Sequence, residues 1–262
     1  MNDWSRSRKR IILGIVFFVA IVIIGLPSFF IFYRTPSCAD SVMNGDETGV
    51  DCGGSCQLIC NAESLPLIIK GDPRVLTIAT STYEVVALLE NPNTTAEIYR
   101  AQYTLRLYNP ESSIPVKVIE GSTFIPRGQD FAIFEGPFTL PETVSASHAT
   151  LEWHKESLVW RKNIEAEPEM RVKDKLLTKT DTSPRLEARV ENLSLEDVSN
   201  LDVVALIYDE NGNIFAASKT FINRLPSGES APIIFSWPRP FQNVAIGVEV
   251  LVRIFPDSSF IK

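Results

Sequence analysis

Residues 11–33 form a run of 23 residues without a charged side chain, and no other property of this 262-residue chain restricts its structure as strongly. As a helix the run would extend roughly 35 Å, enough to cross a hydrocarbon core of about 30 Å with some tilt. A helix also satisfies its own backbone hydrogen bonds in lipid. The sequence therefore predicts a transmembrane helix over residues 11–33 that contacts the lipid bilayer.

Basic residues flank this run on its N-terminal side, because residues 1–10 contain Arg6, Arg8, Lys9 and Arg10 against a single acidic residue. Basic side chains next to a membrane helix stay on the cytoplasmic side. We therefore expect a single-pass protein of the cell membrane with an uncleaved signal-anchor. Its N-terminus is predicted to be cytoplasmic, and everything after residue 33, including the C-terminus, extracytoplasmic.

Three other interpretations of the run fit the sequence less well. A cleaved signal peptide has an apolar stretch of about 7–15 residues and small residues at its cleavage site, whereas here a longer run is followed by Arg34-Thr35-Pro36. A lipoprotein would be attached through Cys38, but the leucine and small residues typical of such sites are missing before it. A buried core helix rarely stays uncharged over this length.

The charge of the chain argues against nucleic-acid binding. Lys and Arg number 25 against 32 Asp and Glu, and from Thr35 onward there are 20 basic and 31 acidic residues. A body with that excess of acid repels phosphate backbones.

All four cysteines, Cys38, Cys52, Cys56 and Cys60, lie in residues 34–62, a segment too short for an apolar core of its own. An even number of cysteines outside the cytoplasm is typical of disulfides, so we expect two bridges, with three pairings open. Each bridge contributes about 2–4 kcal/mol of stability. A zinc site is the alternative, but its usual C-x2-C spacing is absent.

A motif of turn residues and cysteines fills this segment. Between Cys38 and Cys60 it runs Asn44-Gly45-Asp46-Glu47-Thr48-Gly49-Val50-Asp51-Cys52-Gly53-Gly54-Ser55-Cys56. It resembles a short cysteine-rich module of extracellular proteins. The resemblance covers only this segment and implies a surface-exposed, disulfide-bonded module without an activity.

Acidic and amide side chains in the same segment suggest a calcium loop formed by Asp40, Asn44, Asp46 and Asp51. A helix–loop–helix calcium site needs Asp or Asn at its third position and a bidentate Glu at its twelfth. Here Val42 is third and Asp51 twelfth. The alternative is that these side chains cap turns through hydrogen bonds to the backbone, and we favour it. No other cofactor is predicted.

From residue 63 onward short alternating strands are separated by Pro, Gly, Asn and Asp, which is typical of an all-β sandwich. The predicted strands are 74–80, 82–90, 98–108, 114–125, 130–135, 146–154, 158–164, 170–178, 185–191, 200–208, 213–222, 230–237 and 243–254. We expect two tandem immunoglobulin-like β-sandwich domains, residues 63–165 and 166–262, after the transmembrane helix and the small disulfide-rich module.

An internal repeat supports two domains, because turn residues recur at an offset of 100–101 residues. The aligned pairs are Glu90-Asn91 with Glu191-Asn192, Tyr108-Asn109 with Tyr208-Asp209, Pro126-Arg127-Gly128 with Pro226-Ser227-Gly228, and Phe134 with Phe235.

The second copy carries a recognisable set of turn residues, namely Asn192, Tyr208-Asp209, Asn211-Gly212, Pro226 and Gly228-Glu229. In this set it resembles the bacterial FxLYD and late-embryogenesis-like sandwiches, although Ala205 and Ile207 stand where that family often has Phe and Leu. The resemblance implies a β-sandwich outside the membrane and no shared chemistry. Asn211-Gly212 is also suited to a type I′ hairpin turn.

Motifs for catalysis are missing, since the chain has no G-x-S-x-G, phosphate-binding loop or H-E-x-x-H. The two histidines, His148 and His154, lie on one predicted strand with their side chains pointing outward, roughly 20 Å apart and too far to share a metal ion. We therefore predict that the protein is not an enzyme.

Two further sets of residues have functional and structural interpretations. Trp153, Trp160 and Trp237 could form a sugar-binding platform, but tryptophans of sandwiches more often belong to the core. Asn93 and Asn192 begin N-x-[ST] triplets, which are glycosylation acceptors in secreted proteins and are also frequent by chance.

The sequence thus favours a membrane-anchored, extracytoplasmic, non-enzymatic structural or interaction module at the cell surface. Its partner would be an extracytoplasmic protein or polymer. The alternatives are an accessory subunit of an envelope complex for secretion or division, and a calcium-dependent binding module.

Overall fold

Two compact units, Met1–Cys56 and Gln57–Lys262, make up the chain in the computed structural model. The structure describes residues 3–28 and 35–256, and only the backbone of residues 3–7.

An apolar helix begins the first unit. α1 (Asp3–Ala20) continues into a π-helical turn, Ile21–Gly25. This wider turn precedes Pro27, which has no backbone N–H and whose ring crowds the carbonyl four residues before it. None of the side chains in Arg8–Ser28 is buried, and this stretch is long and apolar enough to cross a membrane. By length and composition it also fits a signal sequence.

The predicted helix is confirmed over residues 11–28, and its last part, residues 29–33, lies outside the described residues. The basic residues Arg8, Lys9 and Arg10 are exposed on the first turns of the helix, whereas the side chain of Arg6 is also outside the described part.

All strands of the described chain belong to the second unit, so the all-β fold is confirmed. They are β1 (Ile68–Ile69), β2 (Arg74–Ala79), β3 (Thr82–Glu90), β4 (Ala96–Tyr108), β5 (Pro115–Ile125), β6 (Asp130–Thr139), β7 (His148–Trp153), β8 (Arg161–Lys162), β9 (Met170–Thr178), β10 (Arg185–Asn192), β11 (Val198–Tyr208), β12 (Ile214–Leu225), β13 (Ser230–Ser236) and β14 (Gly247–Ile254), with a 3-10 turn at Lys155–Ser157.

Strands β1–β8 form two sheets that face each other across one apolar core. One sheet has the order β1-β3-β2 with β6 also on β3, and the other has the order β5-β4-β7 with β8 also on β4. Alternate residues of β3 and β4 point into the space between the sheets, for example Val85, Leu89, Leu105 and Leu107. The two sheets therefore form a β-sandwich with one buried face each.

Strands β9–β14 repeat this arrangement around a second core. Their sheets have the orders β13-β10-β9 and β12-β11-β14, and the core contains Leu186, Val190, Ala205 and Phe235. Each strand of the first sandwich from β2 to β7 has a counterpart here, in the same order along the chain. The internal repeat thus extends from turn residues to sheet pairing.

One pair of the sequence alignment is wrong. Ile133 pairs with Ala87 on β3, and Ile233 pairs with the equivalent Ala188 on β10. The isoleucines are therefore equivalent, and Phe134 is not the counterpart of Phe235. A shift of one residue changes the face on which a side chain lies, so Phe134 packs outside the first sandwich.

A third apolar core joins the two sandwiches. It contains Leu76, Val86 and Ala132 from the sheet β1-β3-β2 with β6, and Val204, Leu206 and Ala217 from the sheet β12-β11-β14. The two sandwiches thus stack through these sheets, and the second unit is a body of four sheets with three apolar layers between them.

Continuous apolar runs mark the strands that are buried on both faces. Residues 85–89 read Val-Val-Ala-Leu-Leu and residues 203–207 read Val-Val-Ala-Leu-Ile, and nearly all of these side chains are buried. A strand with one solvated face alternates apolar and polar residues, whereas one covered on both faces does not. These runs were the sequence signal for the third core.

Two local predictions are wrong. The strand predicted over residues 158–164 is reduced to Arg161–Lys162, since only these two residues pair with β4. The turn at Asn211-Gly212 is not type I′, which needs a positive φ at both central residues, since only Gly212 has one (75°). Asp209 instead accepts hydrogen bonds from the N–H groups of Asn211 and Asn213, which closes a longer loop.

Candidate functional site

The cysteine-rich segment is disulfide-bonded, as predicted. Cys38 is bonded to Cys56 across a Cα–Cα distance of 5.6 Å, and Cys52 and Cys60 are also in disulfides. With no free cysteine among the described residues, no thiolate is available for zinc. Gly54 lies at φ +52°, and a Cβ at this position would collide with the backbone of Asp46. Local backbone geometry therefore requires this glycine.

The three carboxylates among the calcium candidates already accept hydrogen bonds from their neighbours, whereas the buried Oδ1 of Asn44 has no hydrogen-bond partner within the described part of the chain. Asp51 accepts from the backbone N–H groups of Asp40 (2.9 Å) and Ser41 (3.0 Å), and Asp40 accepts from the side-chain amide of Asn44 (2.9 Å). Asp46 accepts from the hydroxyl of Ser55 (2.8 Å). The backbone hydrogen bonds of Asp51 are of the turn-capping kind.

Arg253 of β14 connects the two sandwiches through a buried guanidinium. Its Nη1 donates hydrogen bonds to Thr123 Oγ1 (3.0 Å) and to the carbonyl of Phe124 (3.1 Å), both in the first sandwich. Its Nη2 lies 3.5 Å from Asp202 Oδ2, and the ring of Phe255 lies 4.5 Å from the guanidinium carbon. Burial lowers the pKa of Arg253, whereas Asp202 opposes this effect.

Arg127, also buried, holds the linker between the sandwiches. Its Nε donates to Glu167 Oε1 (3.0 Å), and its Nη1 donates to Asn163 Oδ1 (3.1 Å). The carbonyls of Asn163 and Glu165 accept further hydrogen bonds from the same guanidinium. Together with the third core, these contacts fix the two sandwiches relative to each other.

A fully buried asparagine occupies the same place in each copy. Asn192 donates from Nδ2 to the carbonyls of Glu196 (2.8 Å) and Leu225 (3.0 Å), and its Oδ1 accepts from the N–H of Ser194 (3.0 Å). Asn91 makes the equivalent hydrogen bonds in the first copy, with Ala96, Pro126 and Asn93. This role explains why Asn recurs at the end of the strand, and it leaves the amide of Asn192 inaccessible to glycosylation.

The histidines and tryptophans form no shared site. His148 stacks on Tyr108, and His154 bonds to the hydroxyl of Thr104 (2.8 Å). Trp160 is buried in the first core and Trp237 in the second, while Trp153 packs against the first. The tryptophans therefore belong to the cores and not to an exposed sugar platform.

Grooves of about 800 Å³ and about 540 Å³ lie along the junction of the two sandwiches. The larger is lined by β14, the start of β9, the linker 163–168 and the turn 126–130. The smaller is lined by the loop 237–243 and by Arg74, whose guanidinium bonds to the side chain of Asn213. The larger groove contains the free edge of β14, with Val250, Val252 and Ile254 among its lining residues.

Glu84 on β3 is the one acidic group with a strongly raised pKa among those described. Burial raises its pKa from 4.5 to about 7. It lies on the face of β3 that carries Val86, which belongs to the third core. Neither a nucleophile nor a metal ligand set accompanies it among the described residues.

No known protein family and no curated protein matches this sequence. Among solved structures, the red sea bream transglutaminase is similar over 77% of this chain and 31% of its own, at 10% identity and a TM-score of 0.22. A beta-glucuronidase from glycoside hydrolase family 2 is similar over 80% of this chain and 26% of its own, at 12% identity and a TM-score of 0.21. The chain thus spans less than a third of either structure, and similarity at this level carries no argument about function.

Proposed function

We propose that this protein is a single-pass, membrane-anchored module that holds a stiff pair of β-sandwiches outside the cytoplasm for structural or binding purposes, without enzymatic activity. The observation that carries the proposal is an apolar helix with no buried side chain, followed in sequence by a disulfide-bonded segment. Disulfides persist in oxidising compartments, and an exposed apolar helix of this length needs lipid.

The stacking of the sandwiches supports a load-bearing or presenting role. Linked domains usually move relative to each other unless their interface is large and apolar. Here the third core, Arg253 and the Arg127 contacts oppose such motion. A calcium-dependent module has less support, because Asp40 and Asp51 already accept hydrogen bonds from backbone N–H groups.

Thiol labelling of intact cells tests the membrane orientation. The native cysteines are disulfide-bonded and do not react, so Ser183→Cys and Ser5→Cys each introduce one reactive thiol. We expect a membrane-impermeant maleimide to label Ser183→Cys on intact cells and Ser5→Cys only after lysis. The reverse pattern, or a shortened soluble protein released into the medium, would refute the proposal.

A further inference from the structure

We propose that the free edge of β14 binds an extended, basic polypeptide segment of a partner protein, which joins the sheet β12-β11-β14 as a further strand. The inference names the partner class of the interaction module and in that respect rests on the proposed function. Strand addition of this kind obtains its affinity from main-chain hydrogen bonds.

Backbone geometry places a row of donors and acceptors along this edge. β14 is paired with β11 on one side only. The N–H of Phe255 donates to the carbonyl of Asn200 (2.9 Å), so odd-numbered positions of β14 face β11. The N–H and C=O groups of residues 248, 250, 252 and 254 therefore point to the open side.

One of these outward carbonyl groups already accepts a hydrogen bond, whereas the outward N–H and C=O groups of three other residues are available for pairing. The carbonyl of Val248 accepts a hydrogen bond from Lys175 Nζ (3.0 Å). Within residues 3–28 and 35–256, no group bonds to the outward backbone of Val250, Val252 or Ile254. Two-residue spacing is the repeat of an extended strand, so the matching ligand is polypeptide in that conformation.

Five other edge strands of the two sandwiches carry features that normally prevent strand addition, whereas β7, which among the described strands pairs only with β4, carries none of them. Sheet edges are protected by lysine, proline or local irregularity. β5 carries Lys117, β6 carries Pro137, β12 carries Lys219, β13 carries Pro232, and β9 has Asp174 at a positive φ.

β14 lacks such protection at its open positions, where Val250, Val252 and Ile254 are all β-branched and apolar. Its charged side chains are engaged elsewhere, Glu249 with Tyr208 and Arg253 with Asp202.

Charge and shape of the larger groove determine which occupant fits. Its acidic lining residues outnumber its basic ones, with Glu97, Asp130, Glu165 and Glu167 against Arg127 and Lys175. Among these, Arg127 is paired with Glu167, Asp130 is paired with Lys70, and Lys175 donates to the carbonyl of Val248, so Glu97 and Glu165 carry the acidic excess. A basic segment is therefore favoured. The turn 126–130 and the linker 163–168 line the groove beside the edge, which suits a single strand better than a second folded copy.

Peptide binding to the full chain in detergent micelles tests the inference. The probe is an eight-residue peptide of alternating valine and lysine with blocked ends, and fluorescence anisotropy measures its Kd. We expect hydrogen exchange at the amides of residues 250, 252 and 254 to slow when the peptide binds. A peptide N-methylated at alternate residues should bind about tenfold more weakly, because it loses main-chain donors.

Matched variants and peptides complete the test. Val252→Pro removes an outward N–H and should weaken binding about tenfold, while Val252→Thr keeps the N–H and the β-branched shape and should bind as the native protein does. The N-methylated peptide leaves the protein unchanged, so the test does not depend on whether Val252→Pro folds.

Three results would overturn the inference: no binding of the lysine peptide at millimolar concentration, equal binding of a glutamate-for-lysine peptide, or a dimer whose β14 amides are protected without peptide. All three results are measured on the protein in detergent micelles. They therefore do not depend on the side of the membrane on which the sandwiches lie in the cell. A failed orientation test and a failed binding test are therefore distinguishable.

Discussion

Replacing Arg253 by methionine should loosen the junction of the two sandwiches. Methionine keeps a long unbranched side chain but cannot donate hydrogen bonds. The change removes the hydrogen bonds to Thr123 (3.0 Å) and to the carbonyl of Phe124 (3.1 Å). It also leaves Asp202, whose side chain is 13% exposed, without its closest cation, since Lys219 is 3.8 Å away.

The expected loss of unfolding free energy is about 3–5 kcal/mol. Hydrogen bonds from a charged donor contribute roughly 1.5–3 kcal/mol each, and removing one partner of a buried ion pair costs roughly 3–5 kcal/mol in total. Arg106 provides a matched control, because it pairs with Glu152 where the two side chains are 37% and 66% exposed. Arg106→Met should cost at most about 1 kcal/mol.

Urea unfolding followed by tryptophan fluorescence measures both variants, because Trp160 and Trp237 report on the first and second cores. Arg253→Met combined with Asp202→Leu should recover most of the loss, since an apolar pair replaces an unpaired buried charge. If Arg253→Met costs no more than Arg106→Met, or if the double variant is less stable than the single one, the assigned role of the ion pair is wrong.

Three further predictions concern single side chains. Asn192→Ala should cost about 3–5 kcal/mol in the same assay, because two buried carbonyls and one N–H lose their partner, whereas the exposed Asn211→Ala should change stability by less than about 0.5 kcal/mol. Burial raises the pKa of Glu84 from 4.5 to about 7, so the folded state binds a proton that the unfolded state releases, and stability falls as pH rises through this window. Glu84→Gln should therefore raise Tm at pH 8 and leave it unchanged at pH 4, and an unchanged Tm at pH 8 would contradict this. Gly54→Ala should abolish the native disulfide pattern in non-reduced peptide maps, whereas Gly71→Ala, with no atom within 4 Å of the added Cβ, should preserve it.

Strand positions could be predicted closely where an apolar or alternating segment is bounded by turn residues. The predicted segments 82–90 and 170–178 are the observed β3 and β9. The prediction over residues 158–164 failed in its first half, where Trp160 is buried in the first core although it lies outside any strand. An apolar residue in a short loop has no period that distinguishes it from a strand.

Candidate site residues were predicted less well, because their roles depend on which groups they meet. Spacing could not separate a calcium loop from turn caps, and the structure assigns Asp51 to the backbone of Asp40 and Ser41. No sequence pattern indicated the structural role of Arg253, since its hydrogen-bond partners Thr123 and Phe124 lie about 130 residues away in the chain. The open edge of β14 became visible only when its single pairing with β11 was known.

Local sequence patterns were sufficient to predict the apolar helix, the disulfide-bonded segment and the strands, because each of these depends on residues that are close together in the chain. The stacking of the sandwiches depends on faces assembled from distant strands. Val86 and Leu88 on β3 face the third core, whereas the equivalent Glu187 and Arg189 on β10 face solvent. An apolar face is buried only when the face that covers it has also formed. Because these faces combine strands a hundred residues apart, only the tertiary structure determines which two faces pack together.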